Sequence, residues 1–408
     1  MADAVDVVIA GGGPAGATLA ILLGRAGLRA DIYESRRFPR DKPCGEAIMP
    51  AGVAVLERLG LRAAVGGRPL ESVRYHGFGV TAESPFYPAG GPPVTALAQR
   101  RLRLDDALLA EARATPGVRV FEAAPVEGAA LAAGRAVGLR VGGELRCGAL
   151  VVGADGLDSP VRQSLGLDGS LARAARVGVR MHFRLAAGRA LGDSLEIFVG
   201  RGHELYAAPL PDGELLVAAL GERGALAGGA RAALERWIAA EPLLRDTLAG
   251  ATPLTAPAGR APVTRRARAG FAPGAILLGD AAQANDPLTA GGIAHALCTA
   301  ERLAAVVPRY LAQGDAQLAQ FDRERRQLLR AHGWLTRALV FVVRRPRLAH
   351  ATLRGMRAAP RLMRRLVALA GGVAIQPPRR VAASSTPALA MSSATDQSAT
   401  LSQRAGSP

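Results

Sequence analysis

The chain opens on an apolar run, residues 5–10, that meets the glycine-rich GGGPAG of residues 11–16 and continues into an amphipathic stretch over residues 15–24. A second apolar run, residues 29–33, ends in Glu34. Apolar run, glycine turn, amphipathic stretch and acidic run end, in that order, predict a β-α-β unit. Further along, RRLRLDDALLAEA (residues 100–112) carries leucines at 104, 108 and 109, a helical stripe, and residues 118–123, 136–141 and 149–152 read as short strands. From 176 to 220 the texture changes. Short, partly alternating runs (VGVRMHFRL, SLEIFV, ELYAAPL, ELLVAAL) are separated by Gly, Pro and Asp, which predicts an antiparallel sheet with one face exposed. Residues 227–249 read as helix with a break at Pro242, and residues 275–278 return to a buried strand. Helical patterns follow to about Arg345, then two shorter basic helices bounded by Pro346, Pro360 and Gly371.

The first glycine segment stands at a strand-to-helix turn, and that context gives it meaning. Gly11 permits the tight turn, Gly13 lets backbone approach a pyrophosphate, and Gly16, after Ala15 in the first helical turn, lets helix and strand pack closely. Glu34, eighteen residues after Gly16, is placed to accept from ribose hydroxyls; the alternative is a structural Gly-rich turn. A second segment, GADGLDSPVR (153–162), follows a strand, so Asp155 and Gly156 lie at a strand's carboxyl end. Asp155 suits a ribose and Arg162 a phosphate, against the plainer reading of an ordinary turn. In the third, GAILLGDAAQANDPLTAGGIAHAL (274–297), Gly279 and Asp280 again end a buried strand, where Asp280 suits a sugar-chain hydroxyl. Gly291, Gly292 and Ile293 start a helix whose free N–H groups can face a ring carbonyl. The three segments point to one dinucleotide, FAD. The single G-x-G-x-x-G leaves no second nucleotide-binding half.

Composition narrows this further. At 408 residues the chain suits two or three structural units. Cys44, Cys147 and Cys298 are widely spaced and make no C-x-x-C or Cys/His cluster, so neither disulfides nor a metal site are expected. The first strand begins within about five residues of the start, which leads us to expect a cytoplasmic protein. Net charge is +17, and residues 331–370 hold nine arginines and no acidic residue. Those helices either cap a substrate cavity with solvated arginines or dock on an anionic membrane or an acidic carrier protein; no nucleic acid is expected. Lys42 is the lone lysine, by chance or because a compact ammonium is wanted there. His182, His203 and His295 read as ordinary core or surface histidines. Met181 and Phe183 alternate with Arg180 and His182, and one set should face the substrate cavity.

Over residues 5–330 the three segments together resemble the p-hydroxybenzoate hydroxylase superfamily, which contains the class A aromatic monooxygenases and the geranylgeranyl reductases. The resemblance implies bound FAD with NAD(P)H as a passing electron donor. It also implies that Asp155 and Gly156 serve both ligands, that Asp280 binds the ribityl region, that Pro287 lies beside the isoalloxazine, and that Arg101, in an R-x-x-L-D frame with Asp105, touches FAD. FPRDKPCGEAIMP (38–50) and DPLTAGGI look more like the reductase branch, where Cys44 would sit near the flavin; otherwise Cys44 is a buried filler. That branch's tryptophan-containing substrate motif should fall near residues 206–210, where this chain reads YAAPL. The W-x-W-x-I-P motif of flavin halogenases is absent, since the only tryptophans are Trp237 and Trp334.

The expected fold is therefore α/β, α+β overall. A Rossmann-like FAD-binding domain is formed by residues 1–70, 96–175 and 260–330, and an inserted antiparallel-sheet substrate domain by residues 71–95 and 176–259. Basic C-terminal helices (331–372) and a disordered tail (373–408) complete it. The expected function is an FAD-dependent monooxygenase that uses NAD(P)H and O₂ on a small apolar aromatic, polyketide or quinone-like substrate. The alternatives are a geranylgeranyl-reductase-like enzyme acting on prenyl or polyene double bonds, and a non-catalytic lipid- or carrier-binding flavoprotein.

Overall fold

The computed structural model describes residues 5–87, 91–169, 176–226 and 228–372. Strand β1 (Val5–Ala10) is buried at nearly every position, as a strand covered on both faces must be. It leads into α1 (Pro14–Arg25), which has proline at its first position, where a missing N–H costs nothing. After β2 (Ala30–Tyr33) the chain leaves for β3 (Ser72–Gly77) and β4 (Val80–Pro85), which belong to a different sheet. It returns through α2 (Arg101–Ala114) to β5 (Val118–Phe121), then β6 (Val126–Ala132), β7 (Arg135–Val141) and β8 (Glu144–Gly153). A second excursion makes β9 (Arg176–Arg184), β10 (Ser194–Val199), β11 (His203–Pro209) and β12 (Glu214–Glu222). The chain re-enters through β13 (Ala275–Leu277) and finishes in α3 (Gly292–Ala304), α4 (Ala316–Val343), α5 (Pro346–Ala358) and α6 (Pro360–Ala370).

The first sheet runs β13-β8-β1-β2-β5, all parallel. Its register positions the site. Gly153 of β8 stands opposite both Ala10 of β1 and Leu277 of β13, so the three segments leave the sheet side by side at its carboxyl edge. The strand order reverses at β1 and β8, the place where open α/β sheets collect ligands. β8 is longer than the sequence pattern indicates, because its first four residues are exposed, carry no buried apolar run and pair with β7 outside the parallel sheet. β6, which pairs with β7, was not anticipated; its burial is confined to Gly128, Ala129 and Ala130, too few apolar positions to stand out.

The second sheet contains β9-β12-β11-β10-β3-β4. Two expectations need correction. The β10–β3 pairing is parallel, and β9 to β12 are buried on both faces, whereas β4 at the sheet's edge alternates, with Thr81 and Glu83 exposed. Val179, Met181, Phe183, Val217 and Ala219 pack on one side under the helix Ala230–Ala240, with Leu234 and Trp237. Ile197, Tyr206, Leu216 and Leu220 pack on the other, against Met363 and Val367 of α6. Burial on both faces removes the strict alternation that a half-exposed strand would show. The expected break at Pro242 separates Ala230–Ala240 from Pro242–Thr247. The tail at 373–408 lies outside the described residues.

Candidate active site at the junction of the two sheets

The glycine turn is shaped as its residues require. Gly11 has φ +96°, and a Cβ there would lie 2.6 Å from the Ala154 carbonyl of the neighbouring motif; a Cβ on Gly16 would lie 2.0 Å from the Gly11 carbonyl. Gly13 caps α1 without a side-chain bond, and a Cβ there would meet only Arg40 Nη2 at 3.6 Å. The N-terminus of α1, with Ala15 buried in its first turn, is thus an open anion cradle with a guanidinium at its rim. Glu34, buried, accepts from Gly12 N (2.9 Å) through Oε2 and from Arg36 N (2.9 Å) and Ser35 Oγ (3.2 Å) through Oε1, which locks the turn and leaves acceptor capacity on Oε2.

Asp155 accepts from Val161 N at 3.1 Å through Oδ2, while its buried Oδ1 has no protein partner. Burial pushes its carboxyl above the usual range. A buried, unpartnered acceptor at a strand end is the signature of a group waiting for a ligand hydroxyl. Lys42 links the second and third segments: its Nζ is 3.4 Å from Asp280 Oδ2 and would be 3.6 Å from a Cβ on Gly156. Asp280, in the first turn after Gly279, stays partly open. The turn Pro287–Thr289 is held by Asp286, whose Oδ1 accepts from Leu288 N (3.1 Å) and Arg176 (3.0 Å). Tyr206 donates to the Leu288 carbonyl at 3.2 Å, so the inserted sheet holds this turn from two sides. Gly291 caps α3 without a side-chain bond, and a Cβ on Gly292 would meet nothing, so the helix start is open at Gly292 while Ile293 behind it is buried. These features fit FAD: a phosphate cradle, an orphaned acceptor and an open helix start on one edge.

Arg162 departs from its expected part. It is fully buried, and its guanidinium is committed to Asp168, the Ala281 carbonyl and the Leu157 carbonyl, so it braces the second segment against the third and offers nothing to a phosphate. Arg40 stands at the cradle instead; the cluster RRFPRDK at 36–42, directly after the acidic strand end, was the available signal. Arg101 is buried against Asp105, which also takes Arg40 at 2.6 Å. Burial works against its charge, but Asp105 and the Cys44 sulfur together hold its proton more tightly than usual. Cys44 is half-buried beside this pair.

Two histidines expected to be ordinary are not. His182 lies 2.8 Å from Glu46 in a fully buried pair, and Glu46 also accepts from Arg101 N at 3.1 Å. Arg180, its neighbour, pairs with Asp41. Of the two sets on β9, Arg180 and His182 therefore face the 41–46 loop, and Met181 and Phe183 face the core. His295 of α3 meets His332 of α4 edge-on, centroids 4.2 Å apart, with His295 Nε2 and both His332 ring nitrogens lacking partners. A Cβ on Gly291 would lie 2.6 Å from His332 Nε2. Burial holds His332 down to about 4, and burial with His332 nearby holds His295 well below its ordinary value.

A Rossmann-type sheet with this cradle and an inserted second sheet defines an FAD-binding oxidoreductase. A family model described as FAD binding domain matches residues 4–332, and the chain belongs to that family, within the p-hydroxybenzoate hydroxylase superfamily. The chain is 32% identical over 331 residues to menaquinone reductase of Mycolicibacterium smegmatis, covering 74% of this chain and 75% of that one. It is 28% identical over 328 residues to digeranylgeranylglycerophospholipid reductase 2 of Methanopyrus kandleri (78% and 80%). To 6-methylpretetramide 4-monooxygenase of Streptomyces rimosus it is 33% identical over 177 residues (40% and 41%). Among solved structures, a flavoprotein/dehydrogenase from Cytophaga hutchinsonii superposes with TM-score 0.79 at 20% identity, over 91% of this chain and 93% of that one, a likeness of fold.

Proposed function

We propose that this protein is an FAD-dependent reductase of carbon–carbon double bonds in an apolar, isoprenoid or polyene substrate such as a quinone or lipid side chain. One observation carries the reading. An apolar recess lies between β10, β11 and the helices α4 and α5, lined by Tyr75, Ile197, Leu288, Leu339, Leu353 and Met356. Leu288 belongs to the turn that follows Pro287, so the recess abuts the position expected for the flavin ring. Its enclosed space is about 30 Å³, little more than one water, so an extended chain enters only when side chains of α5 swing aside. The relatives that cover three quarters of the chain are named for reduction of molecules carrying long isoprenoid chains.

Bound FAD would supply the hydride in such a reduction. The protein's own groups do the rest. Gly13, Arg40, Glu34, Asp155, Lys42 and Asp280 would hold the cofactor, and Arg176 and Tyr206 fix the turn Pro287–Thr289. Saturating a double bond also needs a proton. Glu204 is the one carboxyl lining the recess; it is paired with Arg176, and burial, opposed by Arg176, pushes it up to about 7, so it holds a proton near neutrality. Leu288 and the α5 side chains keep water out.

The second reading, monooxygenation with NAD(P)H and O₂, is favoured by the 33% identity to a monooxygenase over 177 residues. Mass spectrometry of products from menaquinones, prenyl lipids and aromatic polyketides separates the two. A gain of two hydrogens under anaerobic conditions supports reduction. A gain of one oxygen that requires O₂ assigns the second reading, and flavin bleaching without any product leaves a binding protein.

A further inference from the structure

The apolar recess is not the only concavity. A second one, of about 300 Å³, lies along α4 and is lined by Arg266, Arg323, Arg326, Arg330 and Arg337. A water's share of liquid volume is about 30 Å³, so this space takes more than a single small ion. Arg323, Arg330 and Arg337 recur at intervals of seven, which puts them on one face of α4. Gly333 sits on that same face between the last two; a Cβ there would lie 3.9 Å from Arg337 Nη1 and 4.0 Å from Gln283 Nε2. The missing side chain opens the floor, and two sets of N–H donors converge on it.

Charge bookkeeping makes this recess unusual. Arg326 is bonded to Asp322, which Arg325 shares. No carboxylate among the described residues pairs with Arg266, Arg323, Arg330 or Arg337. Guanidinium groups do not shed their protons, so four uncompensated positive charges face one concavity. Such an arrangement is self-repulsive until an anion fills it, and guanidinium forks match phosphate oxygens in pairs. His332, the residue before Gly333, reaches Gly291, so the recess and the turn before α3 lie on adjoining faces of one helix.

We propose that this recess is a binding site for a ligand bearing two or more phosphate groups, separate from the FAD cradle at α1. The same chemistry is offered by a pyridine dinucleotide, a phospholipid headgroup or a free diphosphate.

Inorganic pyrophosphate is the probe, titrated calorimetrically into the full FAD-loaded protein. Binding is expected, and the combined change Arg323→Gln, Arg330→Gln and Arg337→Gln should weaken it by on the order of tenfold or more, as loss of even one charge-assisted hydrogen bond does. FAD content should not change. A control with equal charge loss, Arg354→Gln, Arg357→Gln and Arg361→Gln, should bind as the parent does. Displacement of pyrophosphate by NADPH or NADH assigns the ligand as the dinucleotide, displacement only by vesicles containing cardiolipin, whose headgroup carries two phosphates, assigns a headgroup, and displacement by neither assigns a free diphosphate. No binding of pyrophosphate, or equal weakening by both triple variants, overturns the site. Since FAD content and product identity are measured separately, failure here leaves the proposed reaction standing.

Discussion

Asp155 and Asp280 both end strands of the parallel sheet, yet their surroundings differ in ways that separate their parts. Asp280 is half-open and shares Lys42, whereas Asp155 is enclosed with one oxygen unpartnered. Replacement of Asp280 by Ala should weaken FAD retention, because it removes an acceptor at the strand end and leaves Lys42 without its pair. Asp155→Ala should chiefly slow reduction by NAD(P)H. Flavin content after dialysis and stopped-flow bleaching measure the two losses, and small, equal effects in both variants would refute the assignment. Gly13→Val is a sharper probe of the cradle, since it puts a branched side chain where only Arg40 now approaches. A colourless, folded protein is expected; full flavin occupancy would mean that the pyrophosphate lies elsewhere. Glu204 predicts a pH dependence of turnover. A carboxyl titrating at about 7 donates its proton below that pH and has lost it above, so product formation should fall as pH rises through about 7. Glu204→Gln should lower the rate at pH 6 and abolish that limb; an unchanged profile would remove Glu204 from the reaction.

Among elements, the contact of α3 with α4 has its own titration signature. His332 is held down to about 4 by burial, below the ~6.5 of an unfolded imidazole. A depressed imidazole is neutral in the folded chain while the unfolded chain takes up a proton, so its contribution to stability is complete above about 6.5 and is lost as pH falls towards 4. The shift corresponds to up to about 3 kcal/mol over that window, at roughly 1.4 kcal/mol per unit. His332→Gln should therefore shrink the difference in unfolding free energy between pH 7 and pH 5. Urea denaturation at both values checks it, and an undiminished difference would place the acid sensitivity in other groups. The same helix shows what pattern alone missed. His332 and His295 are far apart in sequence, and nothing local marks two imidazoles that meet only because α3 and α4 cross at Gly291.

For the whole molecule, the basic end is the largest asymmetry. No helix of the described residues is long and apolar enough to cross a membrane. Yet Trp334, Phe341 and Leu362 are exposed by 65%, 53% and 57%, and Arg337 and Arg345 stack over the first two rings. Trp334 and Phe341 are seven residues apart and share a face of α4. Buried stripes on α5 (Ala349, Leu353) and α6 (Met363, Val367) cap the apolar recess and the second sheet, so capping and surface docking use opposite faces. We expect flotation with anionic vesicles at low salt and release at high salt, since attraction near such a surface is worth about 1 kcal/mol per arginine and is screened. Arg361→Gln, Arg364→Gln and Arg365→Gln together should reduce flotation. A protein that stays unbound at low salt would leave these helices as a cap only.

Read from the chain alone, the β-α-β start, the three motif segments, the FAD cofactor and the segments that leave the parallel sheet were all legible, because glycine turns and apolar runs are set by backbone geometry and local burial. The family followed from the order of those motifs. Tertiary packing decided the rest. Whether Arg162 meets a phosphate depends on what encloses it, and protein carbonyls fill its fork. Which face of β9 meets the flavin domain depends on the 41–46 loop folding against it. The double-sided burial of β9 to β12 depends on two helices far apart in sequence from one another, Ala230–Ala240 and α6, and the cationic recess on Gly333 aligning with Gln283 and Arg266. Local sequence encodes which elements form, whereas contacts between distant elements choose which side chains are left with unsatisfied charge or hydrogen-bonding capacity, and those are the groups available for chemistry.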